Sequence, residues 1–285
     1  MSKYISLFRY PGGKSKISVR EKILSYAPMF YSEFRSPFVG GGGIFWTIDP
    51  GIKRWINDID DDLIAVYMAL RDRPKEFIAK CRAIETAKDG EPLTSAKPGG
   101  KKIYNARLKE VFDELIANPD SDKALKYFFI NRTVWEGRVN YDMPSRLYYS
   151  NPNGWNIIDK NTLDRAADAI KDTKITSQGY EEVLSEDGDD VWIYLDPPYY
   201  VNSKLSKSSK LYKNNFTIAQ HIKLAKDIKN CKHKILMSYD DDDENFIRDL
   251  YDGFNIYEEE WIYCGTSNKK KKIGREIVIT NYDKI

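Results

Sequence analysis

The sequence predicts an α/β protein: a doubly wound sheet with a helical segment inserted into it. Three observations predict it. A strand-like piece runs into Pro37-Phe38-Val39-Gly40-Gly41-Gly42-Gly43, a turn whose glycines let the backbone approach a ligand closely. A second strand near Arg54–Ile56 ends in Asn57-Asp58-Ile59-Asp60, and the helix after it opens on Asp60, Asp61 and Asp62, where the helix dipole favours negative charge. Much later the strand-like run Val191-Trp192-Ile193-Tyr194-Leu195 passes directly into Asp196-Pro197-Pro198-Tyr199.

The elements follow in order. Phe8-Arg9-Tyr10-Pro11-Gly12-Gly13-Lys14 is a short segment, and a helix runs from it to about Ala27. Residues 74–160 break the α/β rhythm. Two helical patterns occur there: Phe77, Ile78, Cys81, Ile84, then Ile103, Leu108, Val111, Phe112, Leu115. A Gly/Pro/Lys loop, about 88–101, separates them. The aromatic and polar stretch from Asn131 to Tyr141 reads as a loop or hairpin outside the core. The α/β pattern resumes near Ile175. Thr217 caps an amphipathic helix whose Ile218, Ile222, Ala225 and Ile228 oppose Lys223, Lys226 and Lys229. Two strand-like runs, Phe254–Cys264 and Glu276–Tyr282, end the chain. The expected organisation is one domain in two parts, 1–73 and 161–285, around an insert at 74–160.

Composition narrows the classes. With 285 residues, 31% of them charged, and a mean hydropathy of −0.59, the chain can bury a full core in water. No apolar run nears the roughly 18 residues of a membrane span, and no signal peptide is evident, so a cytoplasmic protein without a membrane partner is expected. Cys81, Cys231 and Cys264 are odd in number and widely spaced. With only His221 and His233 beside them they make neither a disulfide frame nor a zinc set, and no metal is expected. Net charge is only +2 but segregated: nine lysines and one acid, Asp227, lie between Val201 and Ile235. Acids follow at Asp240–Glu244 and Glu258–Glu260, then Lys269, Lys270, Lys271, Lys272 and Arg275. Such segregation suits a polyanion on one face, and nothing in it demands a second chain, so a monomer is expected.

Asp196–Tyr199 carries the chemistry. The exocyclic amine of a flat base is a poor nucleophile, because its lone pair is delocalised into the ring. A protein can assist by accepting both N–H bonds, one on a carboxylate and one on a carbonyl. Asp196 offers the carboxylate, Pro197 a carbonyl on a turn stiffened by Pro198, and Tyr199 a face on which a flipped-out base can stack. No cysteine follows a proline, so the nucleophile used for methylating a pyrimidine ring carbon is missing and transfer should be direct. Gly40 and Asp58, eighteen residues apart, suit a donor whose ribose hydroxyls are gripped by an acid at the end of the second strand. That pair alone fits NAD as well as S-adenosyl-L-methionine. Gly13-Lys14-Ser15 does not make a P-loop, since Phe8 stands where that motif needs its first glycine.

FRYPGGK, SPFVGGGG, NDID and DPPY, in this order and with a helical insert before the last, resemble the Dam-type DNA adenine methyltransferases from Phe8 to Tyr282. The resemblance implies a Rossmann-like, seven-stranded S-adenosyl-L-methionine-dependent methyltransferase sheet with an inserted target-recognition subdomain. It implies that Tyr10 and Lys14 contact the methionine end of the donor and Asp58 the ribose; Phe38, Gly40 and Gly42 are further candidate donor contacts. Tyr180, with Glu182, is a candidate for the donor's adenine pocket. Asp196 would lie between donor and target base in double-stranded DNA. Asn131, Arg132, Trp135, Arg138 and Asn140 fall in the stretch that resembles the family's recognition hairpin, with Trp135 at the intercalating position.

The chain departs from the family pattern in two places that bear on function. Ser36 replaces the acid that precedes Pro-Phe, so either Glu33 reaches the donor instead or donor binding is weaker. Glu136 and Asn140 replace the Asn and Arg of a GATC reader, so a different or relaxed site is expected. Two alternatives stay open: the same chemistry on RNA or a cytosine amine, and a catalytically dead methyltransferase fold that binds DNA.

Overall fold

Strand β4 (Val191–Leu195) is buried at every residue, which is why it reads as one apolar run: a parallel strand is covered on both faces. It belongs to a seven-stranded sheet of order β3-β2-β1-β4-β5-β7-β6. The other strands are β1 (Glu33–Ser36), β2 (Lys53–Asn57), β3 (Thr173–Thr176), β5 (Lys234–Asp240), β6 (Asn255–Ile262) and β7 (Ile273–Thr280). β1 to β5 pair in parallel, while β7 runs antiparallel to both β5 and β6. The computed structural model describes residues 5–9, 14–84, 100–134, 137, 139, 155, 161–200, 216–241, 245–262 and 273–284.

The chain folds as two units. One comprises Met1–Ser6, Gly12–Ile59 and Thr173–Ile285; the other comprises Leu7–Pro11 and Asp60–Asp172.

In the first unit the strand order reverses at its centre. The chain passes from β1 outward through β2 and β3, then returns to set β4 against the free side of β1, with Arg35 opposite Ile193. At such a reversal a crevice opens beyond the carboxyl ends of the strands. Here those ends continue into Pro37–Gly43 and Asp196–Tyr199. Topology alone brings the two motifs side by side.

Helices α1 (Ile17–Leu24), α7 (Tyr180–Ser185), α8 (Ile218–Lys229) and α9 (Phe246–Leu250) complete this unit. Leu184, Ile193, Leu195, Leu224, Ile228, Ile235, Met237, Ile277 and Ile279 share one core. α8 starts with a capping box between Thr217 and Gln220. Its buried stripe is His221, Leu224, Ala225 and Ile228. Ile218 and Ile222, expected in that stripe, are 54% and 49% exposed. The stripe opens on a histidine, so counting isoleucines alone rotates the predicted face.

β1 is buried throughout although three of its four residues are polar. The Arg35 guanidinium donates to Glu33 Oε1 at 2.6 Å and to the carbonyls of Val183, Glu186 and Asp187 at 3.2, 2.7 and 2.8 Å. Lys53 adds a bond to Glu33 Oε2 at 2.7 Å. Burial alone would raise the Glu33 pKa, but bonds from Arg35 and Lys53 hold it below the usual carboxylate value. Glu33 therefore cannot replace the missing acid at Ser36. It opens β1, and the donor turn follows that strand's other end.

The second unit is helical: α2 (Asp61–Asp72), α3 (Pro74–Ala83), α4 (Gly100–Ala117), α5 (Lys123–Thr133) and α6 (Thr162–Ile170). Tyr67, Phe77, Phe128, Phe129 and Trp155 are buried at its centre, and Phe8 packs 5.3 Å from the Tyr67 ring. Asp60 caps α2 by accepting from the Asp62 amide at 3.2 Å, and Lys123 pairs with Asp61 and Asp62. Asp122 caps α5 and also holds Arg73 and Lys80 at 2.8 Å. The Arg73 bond depresses its pKa most strongly.

α5 corrects an expectation. Asn131, Arg132 and Thr133, read as the start of a loop or hairpin, form its last turn, and all three are buried. The Asn131 side chain accepts from the Arg9 amide at 2.9 Å and donates to the carbonyls of Arg9 (2.9 Å) and Gly137 (3.0 Å). Arg132 donates to the Leu7 carbonyl at 3.2 Å, and Thr133 bonds back to Phe129 at 2.8 Å. These polar side chains are buried because backbone groups take up their bonds. Gly137 has φ 71°, and a Cβ there would lie 2.1 Å from the Arg9 carbonyl oxygen, so only glycine fits.

Candidate active site

Asp196 is the first residue past β4, with its side chain one-quarter exposed. Its Oδ1 accepts from Lys14 Nζ at 3.1 Å and Ser238 Oγ at 3.2 Å, and lies 3.3 Å from the Tyr199 hydroxyl, whose single proton it shares with Glu276. Ser238 lies on β5, the neighbour of β4, and contacts the Tyr194 hydroxyl at 2.8 Å. Oδ2 bonds to none of the described residues. The carboxylate is thus pinned through one oxygen and presents the other.

The prolines divide in the same way. The Pro198 carbonyl accepts from the Tyr239 hydroxyl at 3.2 Å, and that hydroxyl lies 2.9 Å from Nδ1 of buried His221. The Pro197 carbonyl has no hydrogen bond among the described residues. The Tyr199 ring leans on Tyr239 with centroids 5.2 Å apart, and its hydroxyl donates toward Glu276 Oε2 at 3.0 Å.

Lys14 is buried. Its ammonium bonds to the Tyr199 hydroxyl, as well as to Asp196. Its carbonyl accepts from Arg20 Nε at 3.2 Å. A Cβ on Gly43 would lie 2.7 Å from that carbonyl oxygen, so the fourth glycine of the turn serves the approach of Lys14.

In the turn after β1, Gly40 and Gly42 adopt φ 46° and 72°. The Gly40 amide donates to Asp58 Oδ2 at 2.9 Å, so the acid at the end of β2 also fixes the turn. Asn57, the residue before Asp58, ties three loops together. Its Nδ2 donates to the carbonyls of Pro37 (3.1 Å) and Gln178 (2.9 Å), and its Oδ1 accepts from Thr176 and the Gln178 amide. Phe38 and Tyr180 pack with ring centroids 5.5 Å apart. Glu182 is exposed on α7 and bonded to Gln178, apart from this aromatic pair.

The structure thus brings Lys14, Asp196 and Tyr199 into one hydrogen-bonded group, with Pro197 and Pro198 between the last two, and ties Asp58 to the turn that carries Gly40 and Gly42. Asn131 and Arg132, expected to touch DNA, are instead buried between α5 and the Leu7–Arg9 backbone. Tyr10, Trp135, Arg138, Asn140 and Lys269 to Lys272 lie outside the described residues. Sequence signals missed Glu276, Ser238, Tyr239 and His221, none of which adjoins the motif it supports.

The model of the D12 class N6 adenine-specific DNA methyltransferase family matches residues 10–264, and the chain belongs to that family. It is 25% identical to the type II methyltransferase M1.LlaDCHI of Lactococcus lactis subsp. cremoris, across 96% of this chain and 94% of that one. Identity to the type II methyltransferase M.MjaIII of Methanocaldococcus jannaschii is 26%, across 96% and 98%. The DNA adenine methylase of Escherichia coli K12 is 24% identical across 66% of this chain and 64% of its own. The chain is an S-adenosyl-L-methionine-dependent enzyme that methylates adenine in DNA.

Proposed function

We propose that Asp196 Oδ2 and the Pro197 carbonyl accept the two N–H bonds of an adenine amine flipped out of double-stranded DNA. The observation that carries this is the one-sided bonding of Asp196, in which the donors Lys14 and Ser238 and the nearby Tyr199 hydroxyl all meet Oδ1, fix the carboxylate and direct Oδ2 outward. Two acceptors on the amine localise its lone pair on nitrogen and aim it for in-line attack. Tyr199 supplies the stacking face, held by the bonds to its hydroxyl and by Tyr239. Nitrogen sheds a proton as its new bond to carbon forms, and Oδ2 is the acceptor at hand. The product is N6-methyladenine.

The donor supplies the methyl group from a cationic sulfonium and departs as a neutral thioether. The residues present fit such a molecule. Glycine backbone with positive φ admits close approach, Asp58 offers a carboxylate toward ribose hydroxyls, and Phe38 with Tyr180 offers flat apolar surface for a purine. Tyr10 and Lys14 complete its methionine end.

DNA recognition falls to the helical unit and the basic segments. Arg9 and buried Arg132 are close enough that burial first, and Arg9's charge second, lower the Arg132 pKa to about 10. Asn131, bonded to the Arg9 backbone and to the Gly137 carbonyl, is a positioning residue for the stretch carrying Trp135, Arg138 and Asn140. Lys269 to Lys272 add phosphate contacts. The enzyme acts as a cytoplasmic monomer, and its likeness to type II methyltransferases across nearly its whole length supports a site-specific role in restriction-modification.

Base-by-base mapping of labelled methyl groups on unmethylated duplex DNA, with RNA in parallel, tests this. Label on adenine within one recurrent duplex sequence is expected. Label confined to RNA or to cytosine would overturn it.

A further inference from the structure

Asn57 ends β2 and is fully buried, with β1 on one side of its strand and β3 on the other. Both backbone ladders stop here. Ser36 of β1 is paired with Ile56 and Thr176 of β3 with Asn57, and the chain then leaves the sheet at Pro37 and Ser177.

The Asn57 amide carries the pairing beyond that limit. Its Nδ2 donates to the carbonyls of Pro37 and Gln178, and its Oδ1 accepts from the Gln178 amide at 3.1 Å and the Thr176 hydroxyl at 2.8 Å. An asparagine amide has two donor hydrogens and two acceptor lone pairs, so its capacity is filled. Three of these four bonds go to loop backbone past the ladders, and the Thr176 hydroxyl fixes which way the amide faces. The side chain therefore serves the loops more than the sheet.

The loops it joins carry the candidate donor contacts. Phe38 follows Pro37, Asp58 follows Asn57, and Tyr180 lies just past Gln178. The Asn57 main-chain carbonyl accepts from the Val39 amide at 2.9 Å, and Ser177 Oγ donates to the Asp58 carbonyl at 3.1 Å. Phe38 and Tyr180 touch across the first and third loops.

We infer that Asn57 is a positioning residue for the donor: it holds Phe38, Asp58 and Tyr180 at the spacing of an adenosine group. This rests on the reading that the two rings meet the purine and Asp58 the ribose. Loops fixed in advance spare the ligand the cost of ordering them. Asn57 has no bond to Lys14, Asp196 or Tyr199, so it acts on donor affinity and not on the transfer step. S-adenosyl-L-methionine and S-adenosyl-L-homocysteine share the adenosine and should respond alike.

Calorimetric titration of the full chain with both ligands, beside single-turnover transfer to duplex DNA at saturating donor, tests this in wild type, Asn57→Ala and Phe38→Ala. Asn57→Ala is expected to weaken both ligands by about tenfold, with the saturated rate close to wild type. Unchanged affinity in a folded but less stable variant, the mark of a merely structural residue, would overturn the inference. A saturated rate that falls as far as the affinity would overturn it too. If Asn57→Ala does not fold, Thr176→Val takes its place by removing the hydroxyl that orients the amide. A smaller loss of both affinities is then expected, and unchanged affinities count against the inference. Phe38→Ala separates the inference from its premise. Weakening by Phe38→Ala but not by Asn57→Ala defeats the role of Asn57 alone. No weakening by Phe38→Ala defeats the premise, and the inference with it.

Discussion

Tyr199 and His221 make different demands on the same loop. Tyr199 works through its ring, and base stacking on an aromatic is worth about 1–3 kcal/mol. Tyr199→Ala should lose that much in the binding of DNA carrying an extrudable target adenine, measured by fluorescence titration, while Tyr199→Phe keeps most of it. Equal affinity of the alanine variant and wild type would remove the stacking role. His221 works from behind, 2.9 Å from the Tyr239 hydroxyl that holds the Pro198 carbonyl, with the rings of Tyr200, Phe216 and Phe246 around it. Burial lowers its pKa from 6.5 to about 4. The folded protein therefore binds this proton less readily than the unfolded chain. The stabilisation is complete above about pH 6.5 and is lost as pH falls toward about 4. Relative to His221→Gln, wild type should lose roughly 2–3 kcal/mol across that window in urea unfolding. A difference between the two that stays constant with pH would mean that the imidazole is not buried neutral.

At the scale of elements, Asn131 is the sharpest case. Its side chain joins the end of α5 to Arg9 and Gly137 with three bonds, and truncation would leave buried backbone groups unpaired. Asn131→Ala should cost about 1–3 kcal/mol in thermal or urea unfolding. A negligible loss would return Asn131 to the surface role its motif suggested. The contrast shows which signals a sequence carries. β4 was legible because a strand covered on both faces is apolar throughout, and the DPPY turn follows it directly. The turn after β1 and the acid after β2 were legible for the same reason: each sits at a strand end and has its own chemistry. The end of α5 was not, since Asn, Arg and Thr look like loop residues until the backbone that satisfies them is in place. Glu33 misled in a similar way. It is near Ser36 in sequence, yet it opens the strand whose other end leads to the donor turn.

At the scale of the whole molecule, the site is assembled from distant parts of the chain. Lys14, Asp196, Ser238 and Glu276 meet only because the strand order reverses between β1 and β4 and β7 inserts beside β5. The motif residues announced themselves, whereas Ser238 and Glu276 are polar residues inside strands with no motif around them, and only register places them. Charge acts at this scale too. Each lysine of Lys269–Lys272 that engages a phosphate contributes roughly 0.9 to the log–log salt slope of DNA binding. Replacing all four should flatten the slope measurably with little change in which sequence is methylated; an unaltered slope would assign them to a solvated loop.

The most direct measurement is the single-turnover rate of methyl transfer to duplex DNA by Asp196→Asn, with donor binding titrated on the same preparation. The variant keeps the shape of the side chain and loses the charge that orients the amine. The expected result is donor affinity within reach of wild type and a rate lower by about 10²–10³-fold. A rate close to wild type, with the donor bound, would contradict the claim that Asp196 directs the amine.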